Sequence, residues 1–292
     1  MIYTLTLNPS FDVHAYTPEF RPFAENLVTL QVKQSGGKGV NLSRALCTAG
    51  VPNLAVVLLG KENGQDFKDG LEALQCLFLE TEGRIRENLT IHCENGAETR
   101  ISYPGFTADE EILQQLSFAR GDVVTVTGRS AIATDKLKAF LKEQDVKIVL
   151  DSKSFTLEDI YDLKPWLVKP NEEELNSYFG SVGPYEAAKE LQNNGVCHVL
   201  ISQGGDGALL ATGGRFWKAN VPVVDVVSTV GAGDSMTAGF LVAYEAGKDY
   251  AECLKTAVAF GTAACMEEGT TPPDINKVHE IYDLITVEEQ FI

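Results

Sequence analysis

Apolar runs of strand length recur along the chain at 2–7, 54–59, 123–126, 146–150, 166–168 and 198–201. Between them the apolar spacing becomes helical, at 40–49, 109–118, 134–143 and 185–193. This alternation predicts an α/β fold with a mostly parallel central sheet, because crossover helices cover both faces and leave its strands apolar on both sides. Two stretches break the rhythm. Residues 12–34 and 84–106 have strand character without helices, and Glu94-Asn95-Gly96 is a hairpin signal between 89–93 and 99–103. Both are expected to form a small β-sheet lid inserted into a larger domain made of 1–11, 35–83 and 107–292. Beyond Gly207 the pattern is hairpin-like (208–211, 215–217, 222–227) and then helical from Ser235 to about Glu267. Small residues such as Ala238, Gly239, Ala257 and Gly261 in that last stretch predict close helix packing.

Composition narrows the function classes. A chain of 292 residues with 44% hydrophobic content can bury a large core without disulfides, and its six cysteines form no C-x-x-C pair, as expected of reduced thiols. The opening residues alternate like a strand and lack a basic leader, and no apolar run reaches the roughly 18 residues of a membrane span. A cytoplasmic protein without a membrane partner is expected. The net charge of −17 argues against nucleic acid, whose phosphates require a basic footprint. A small anionic ligand would need local cations and helix N-termini.

Several common chemistries are missing. No Gly-Lys pair is followed by Ser or Thr as in a P-loop, and no G-x-G-x-x-G follows the first strand. His14, His92, His198 and His279 lie far from one another and from any cysteine at ligand spacing, leaving no zinc motif and no evident Ser-His-Asp triad. Chemistry must then come from carboxylates, Lys, Arg and backbone amides.

Five short motifs supply such groups. Gly231-Ala232-Gly233 precedes an apolar helix, where free N–H groups bind anions, and Asp234 follows at once as a candidate proton acceptor or as a helix cap. Ser35-Gly36-Gly37-Lys38-Gly39-Val40-Asn41 combines close backbone approach, a point charge and an amide, or is a flexible connection with a solvated lysine. Asp12, after the first strand, suits sugar hydroxyls or an Asx turn. Asn171 and Glu174 have capping-box spacing, and Glu174 could also order Mg²⁺ and its waters. Ser202-Gln203-Gly204-Gly205-Asp206-Gly207 is either a glycine-rich hairpin or a ledge for a nucleotide.

In this order the motifs resemble those of the ribokinase-like carbohydrate kinases, the PfkB family, over nearly the whole chain: LNPSFD at 7–12, GGKGVNLSRAL at 36–46, PWLVKPNEEEL at 165–175, VLISQGGDGAL at 199–209 and VVSTVGAGDSM at 226–236. Asn-Pro after the first strand, Lys38 among the glycines and Ser-Thr-Val-Gly-Ala-Gly-Asp-Ser-Met are similar to the 1-phosphofructokinase and tagatose-6-phosphate kinase branch. The resemblance implies an ATP- and Mg²⁺-dependent kinase acting on a ketose phosphate, with fructose 1-phosphate as the leading acceptor. Tagatose 6-phosphate or another family sugar is the alternative, and a catalytically silent sugar- or nucleotide-binding protein the more distant one. It implies Asp234 as the base and Gly231, Ala232 and Gly233 as the anion hole. Lys169, Asn171, Ser202, Gly204, Gly207 and Gly233 would lie along the nucleotide, with Asn171 and Glu174 ordering Mg²⁺ through water. Asp12, Gly36, Gly37, Lys38 and Asn41 would hold the sugar and Arg86 its existing phosphate, while the lid would form a homodimer interface. Two stretches depart from the family pattern, Thr127-Gly128-Arg129-Ser130-Ala131 and Thr99-Arg100-Ile101-Ser102. Arg129 or Arg100 is expected to add an anion contact there.

Overall fold

A computed structural model describes residues 1–291 of the chain. The first strand, β1 (Ile2–Thr6), is followed by β2 (Ser10–Thr17), β3 (Leu30–Gly36) and α1 (Lys38–Thr48). Next come β4 (Asn53–Gly60), α2 (Gly64–Asp69), β5 (Cys76–Thr81), β6 (Arg86–Cys93) and β7 (Glu98–Ser102). A 3₁₀ helix at Glu110–Gln115 leads to β8 (Val123–Thr127), α3 (Thr134–Lys142), β9 (Lys147–Asp151), α4 (Leu157–Leu163) and β10 (Leu167–Val168). Then follow α5 (Glu172–Phe179), α6 (Pro184–Asn193), β11 (His198–Ser202), β12 (Ala208–Thr212) and β13 (Arg215–Ala219). The chain closes with α7 (Ala232–Glu245), α8 (Tyr250–Ala264), α9 (Ile275–Leu284) and β14 (Val287–Gln290).

Ten strands form one sheet in the order β14-β13-β12-β11-β10-β9-β8-β1-β4-β5, parallel from β5 to β11 and antiparallel beyond. Inside the β5 edge the parallel strands bury both faces. Val124 and Val126 of β8 join one apolar cluster, which includes Leu137 of α3 and Ala187 of α6, while Val123 joins the other, with Leu42 of α1 and Phe240 of α7. The chain leaves β1 toward β4 on one side and enters β8 on the other, so the sheet has its topological switch point at β1/β8, where ligands of open α/β sheets bind.

A second sheet has the order β3-β2-β6-β7. Its strands reach past the predicted edges, since β2 starts at Ser10 and β3 ends at Gly36. Asp12 stands opposite Asn88, His14 opposite Thr90 and Tyr16 opposite His92, with Ser102, Arg100 and Glu98 one strand further. This register puts polar groups on one face and Phe11, Val13, Leu89 and Ile91 on the other, a separation that follows from the two-residue period of a strand.

Three expectations are corrected. Residues 109–118 form only the 3₁₀ helix Glu110–Gln115, since Phe118 turns to pack edge-on against Tyr3 of β1. Residues 222–227 pair with no strand and line a cavity. The helical stretch 235–267 is two helices broken at Gly247, whose φ of 68° ends the first turn of chain reversal. Among the described residues no helix is long and apolar enough to cross a membrane.

The break lets α7 fold back on α8, and glycine sets how closely. A Cβ at Gly239 would stand 2.6 Å from the Thr256 carbonyl oxygen and 2.8 Å from Phe260 Cβ. At Gly261 it would stand 3.3 Å from the Ala232 carbonyl oxygen. Gly239→Val is expected to force the helices apart and destabilise the protein by about 2 kcal/mol or more, read as a lower urea midpoint at unchanged slope. An unchanged midpoint would show that the helix pair is not close-packed in solution.

Candidate active site

The predicted motifs converge at the carboxyl edge of the parallel strands. Gly37 caps α1 at φ 131°, and Gly39 lies where a Cβ would be 2.6 Å from the Leu5 carbonyl oxygen, so only glycine lets α1 start against the end of β1. Gly231 caps α7 at φ 80°, followed by Ala232, Gly233 and Asp234 in the first turn. The N–H groups of Gly233 and Asp234 therefore have no intrahelical acceptor, a standing site for negative charge. Asp234 does not cap the helix. Its side chain is 4% exposed and accepts a hydrogen bond from Asn41 Nδ2 at 3.1 Å, joining the starts of α1 and α7. Burial raises its carboxyl to about pH 6, although the positive charges of Lys38 and Lys169 and the Asn41 hydrogen bond act the other way.

Beside it lies a residue that the sequence motifs do not contain. Asp151, the last residue of β9, is buried with Lys38 Nζ 3.1 Å from one carboxylate oxygen and Lys169 Nζ 3.2 Å from the other. Burial alone would raise its pKa, but the two lysines hold it below the usual carboxylate value. Burial likewise pulls the Lys38 ammonium down, and Asp151 and Asp234 more than reverse this. Lys169 Nζ also lies 3.1 Å from where a Cβ on Gly233 would be, so a second cation stands beside the free N–H groups of α7. The only signal for Asp151 was a charged residue closing the apolar run of β9.

On one side of Asp234 a cavity of about 630 Å³ is lined by Asn171, Ser202, Gly204, Gly207, Gly233 and the apolar residues Val221, Val226 and Val258. Asn171 and Glu174 form the capping box of α5, with Asn171 N–H donating to Glu174 at 3.0 Å and Glu174 N–H donating back at 2.8 Å. Glu174 lines a separate small pocket with Lys169 and Tyr178. Gly207 has φ 97°, and any side chain there would collide with the Ala219 carbonyl oxygen.

On the other side the small sheet contributes a second cavity of about 650 Å³, whose wall includes Asp12, Asn88 and Arg100. Asp12 accepts from Asn88 Nδ2 at 3.1 Å, Asn88 also donates to Ser10 Oγ at 3.0 Å, and Arg86 Nη1 donates to Asn88 Oδ1 at 3.1 Å. Burial raises the Asp12 pKa, opposed mainly by the Asn88 hydrogen bond. Gly36 lies directly against the Asp12 carboxylate. Arg86 Nε and Asn8 Oδ1 are buried without a partner, and Gly105 lies against Asn8 Oδ1 and Arg86 Cδ. Arg129 is near enough to Arg86 for its charge to lower that guanidinium's pKa, after burial itself. Arg100 stands apart from this pair, four residues along the sheet, and bonds Glu98 at 3.3 Å. The motifs of Arg86 and Asp12 were legible, whereas their link through Ser10 and Asn88 required strand register.

Residues 7–277 match the profile described as pfkB family carbohydrate kinase. The chain is 36% identical over 285 residues to the 1-phosphofructokinase of Bacillus subtilis, covering 92% of this chain and 93% of that one. It is 31% identical over 314 residues to a tagatose-6-phosphate kinase of Staphylococcus epidermidis, covering 99% and 100%. The crystal structure of phosphofructokinase-2 from Escherichia coli in complex with substrates and products superposes with a TM-score of 0.89 at 29% identity, covering 97% of this chain and 98% of that one.

The Asp151 cluster has its own consequence. Asp151→Asn leaves the 4% exposed Lys169 ammonium facing a neutral amide, and is expected to lower stability by about 3 kcal/mol in urea unfolding at neutral pH. Lys38→Met should cost less, because Lys38 is 41% exposed. Equal stability of Asp151→Asn and the unmodified protein would refute the buried pairing.

Proposed function

The chain belongs to the pfkB family of carbohydrate kinases, and on that footing we propose that it transfers the γ-phosphoryl group of ATP to a primary hydroxyl of a ketose phosphate. Fructose 1-phosphate is the leading acceptor and tagatose 6-phosphate the second. The ketose-phosphate class is common to the names of the 1-phosphofructokinase, tagatose-6-phosphate kinase and phosphofructokinase-2 relatives. The observation that carries the reading is Asp234, a buried carboxylate near pH 6 beside the free N–H groups that begin α7.

Asp234 takes the proton of the attacking hydroxyl, and desolvation strengthens it as a base while leaving it ionised above about pH 6. The N–H groups of Gly233 and Asp234, with Gly231 and Ala232 shaping the turn, hold the transferring phosphoryl oxygens. Lys38 and Lys169, fixed by Asp151, add positive charge in a chain whose net charge is −17. Asn171, Ser202, Gly204 and Gly207 hold the nucleotide in the apolar cavity. Glu174 has one carboxylate oxygen on the Asn171 N–H and the other 3.9 Å from Lys153, so an oxygen donor remains for a water of Mg²⁺, with the Asn171 amide beside it. Magnesium, when bound, offsets charge on the nucleotide phosphates. Asp12, Gly36, Gly37 and Asn41 hold the sugar hydroxyls.

Arg86 and Arg129 take the phosphate already on the sugar. Their partnerless donor and mutual repulsion are both relieved by a dianion. The domain division at 12–34 and 84–106 assigns the small sheet as a lid that excludes water from the reaction. Exposed Leu30, Val32 and Ile101 on that sheet, with Leu27 and Val28 in the loop before β3, fit pairing with a second copy of the chain.

Asp234→Asn should abolish ADP formation with every acceptor while leaving ATP affinity within a few-fold of normal. Near-normal turnover would remove Asp234 as the base, and ligand binding without ADP from any acceptor in the unmodified protein would favour a silent binding protein. The deprotonated form is the active one, so kcat should fall as pH drops through about 6, and a flat profile would contradict this. Arg129→Ala should raise KM for the sugar phosphate about tenfold or more at unchanged ATP KM, as expected for a lost charge-assisted hydrogen bond. Equal KM values would restrict the phosphate contact to Arg86.

A further inference from the structure

The polar face of the lid carries a chain of groups that phosphoryl transfer leaves unused. Glu98 Oε1 lies 3.0 Å from His92 Nδ1, and His92 Nε2 lies 2.8 Å from His14 Nδ1. Stacking holds the rings, with Tyr16 4.8 Å from His92 and His14 5.1 Å from it between centroids. The last nitrogen, His14 Nε2, stands 3.7 Å from where a Cβ on Gly269 would be, and both residues line the cavity that Asp12 also lines.

Proton counting determines what that nitrogen offers. The Glu98 carboxylate keeps a proton on His92 Nδ1, so a neutral His92 has a bare Nε2 that accepts the His14 Nδ1–H. His14 Nε2 is then a bare acceptor. One added proton enters there, turns Nε2 into a donor, and leaves a positive charge shared along the pair and offset by Glu98. A second is disfavoured, because it would set two imidazoliums N–H to N–H at 2.8 Å.

We propose that His14 Nε2 contacts the ketose phosphate, with its tautomer and charge set by His92 and Glu98, and that the anionic substrate binds with uptake of one proton at this chain. This rests on the ketose-phosphate reading above. The charged groups facing the pair are Asp12 on its own strand, Glu98 and Arg100 on β7, and Glu268 across the cavity. Burial and His92 push the His14 pKa below its ordinary value, while Asp12 and Glu98 oppose them, and the negative charge of a substrate whose phosphate lies further along the same strand face, at Arg86, favours the protonated pair. Asp12 lies two residues back on the same strand face, which places His14 one step further along the wall that receives the sugar.

The test is KM for the ketose phosphate at saturating ATP, measured from about pH 5.5 to about 8.5 in the unmodified enzyme, His14→Gln and Glu98→Gln. The substrate phosphate titrates identically in all three, so the ratio of variant to unmodified KM isolates the pair. His14→Gln should raise KM about tenfold near pH 6 and much less near pH 8, with kcat within about twofold, as for loss of a hydrogen bond from a charged donor. Glu98→Gln, which keeps His14, should give a smaller change with the same pH dependence, and it carries the test alone should His14→Gln not fold. A KM ratio near one, or one independent of pH, overturns the inference while the kinase reading stands. Absence of turnover with every ketose phosphate in the unmodified enzyme removes that reading and this inference with it.

Discussion

A buried carboxylate between two lysines organises this molecule. Asp151 ends β9, Lys38 begins α1 and Lys169 follows β10, so their two contacts tie three separate segments at the edge of the sheet. Removing the ion from water is costly, and the geometry offsets that cost only while both ammonium groups stay within about 4 Å. The constraint thereby fixes the lysine charges beside the first turn of α7. Asp234 sits in the same field and is nonetheless raised toward neutrality, because its burial outweighs the lysines. Two buried aspartates are shifted in opposite directions, Asp151 toward its charged form by two lysines and Asp234 up to about 6 by burial.

On the proposed assignment, sheet order and strand register divide the work in space: phosphoryl chemistry uses helix starts and strand ends of the large sheet, while the acceptor's contacts come from β2 and β6 with the start of α1 and Arg129. Of the two departures from the family pattern, Arg100 lines the cavity beside the small sheet and Arg129 lies near Arg86.

The alternation of apolar runs made the parallel core and the small sheet legible, because both depend on local period. Glycine clusters at 36–39 and 231–233 were legible for a similar reason, as Gly37 and Gly231 have positive φ and Gly36 and Gly39 leave no room for a side chain. Asp151 was not, since a single Asp closing an apolar run looks the same whether it faces water or two lysines from 18 and 113 positions away. The links from Arg86 through Asn88 and Ser10 to Asp12, and from Glu98 through His92 to His14, depend on cross-strand register, which no local pattern encodes. The helical stretch 235–267 concealed its break because small residues populate both α7 and α8, and only Gly247 marks the reversal.

Gly261 lies in the last turn of α8, on the wall of the cavity that Gly233 also lines, and the space beside it is bounded by the Ala232 carbonyl at the head of α7. The backbone donors of that turn are thus seated against a neighbouring helix with no side chain as a spacer. Where those donors stand is a matter of scaffold thickness, and a mutation one methyl wide at Gly261 would act like a shim under an instrument, shifting the turn without altering any of its own residues.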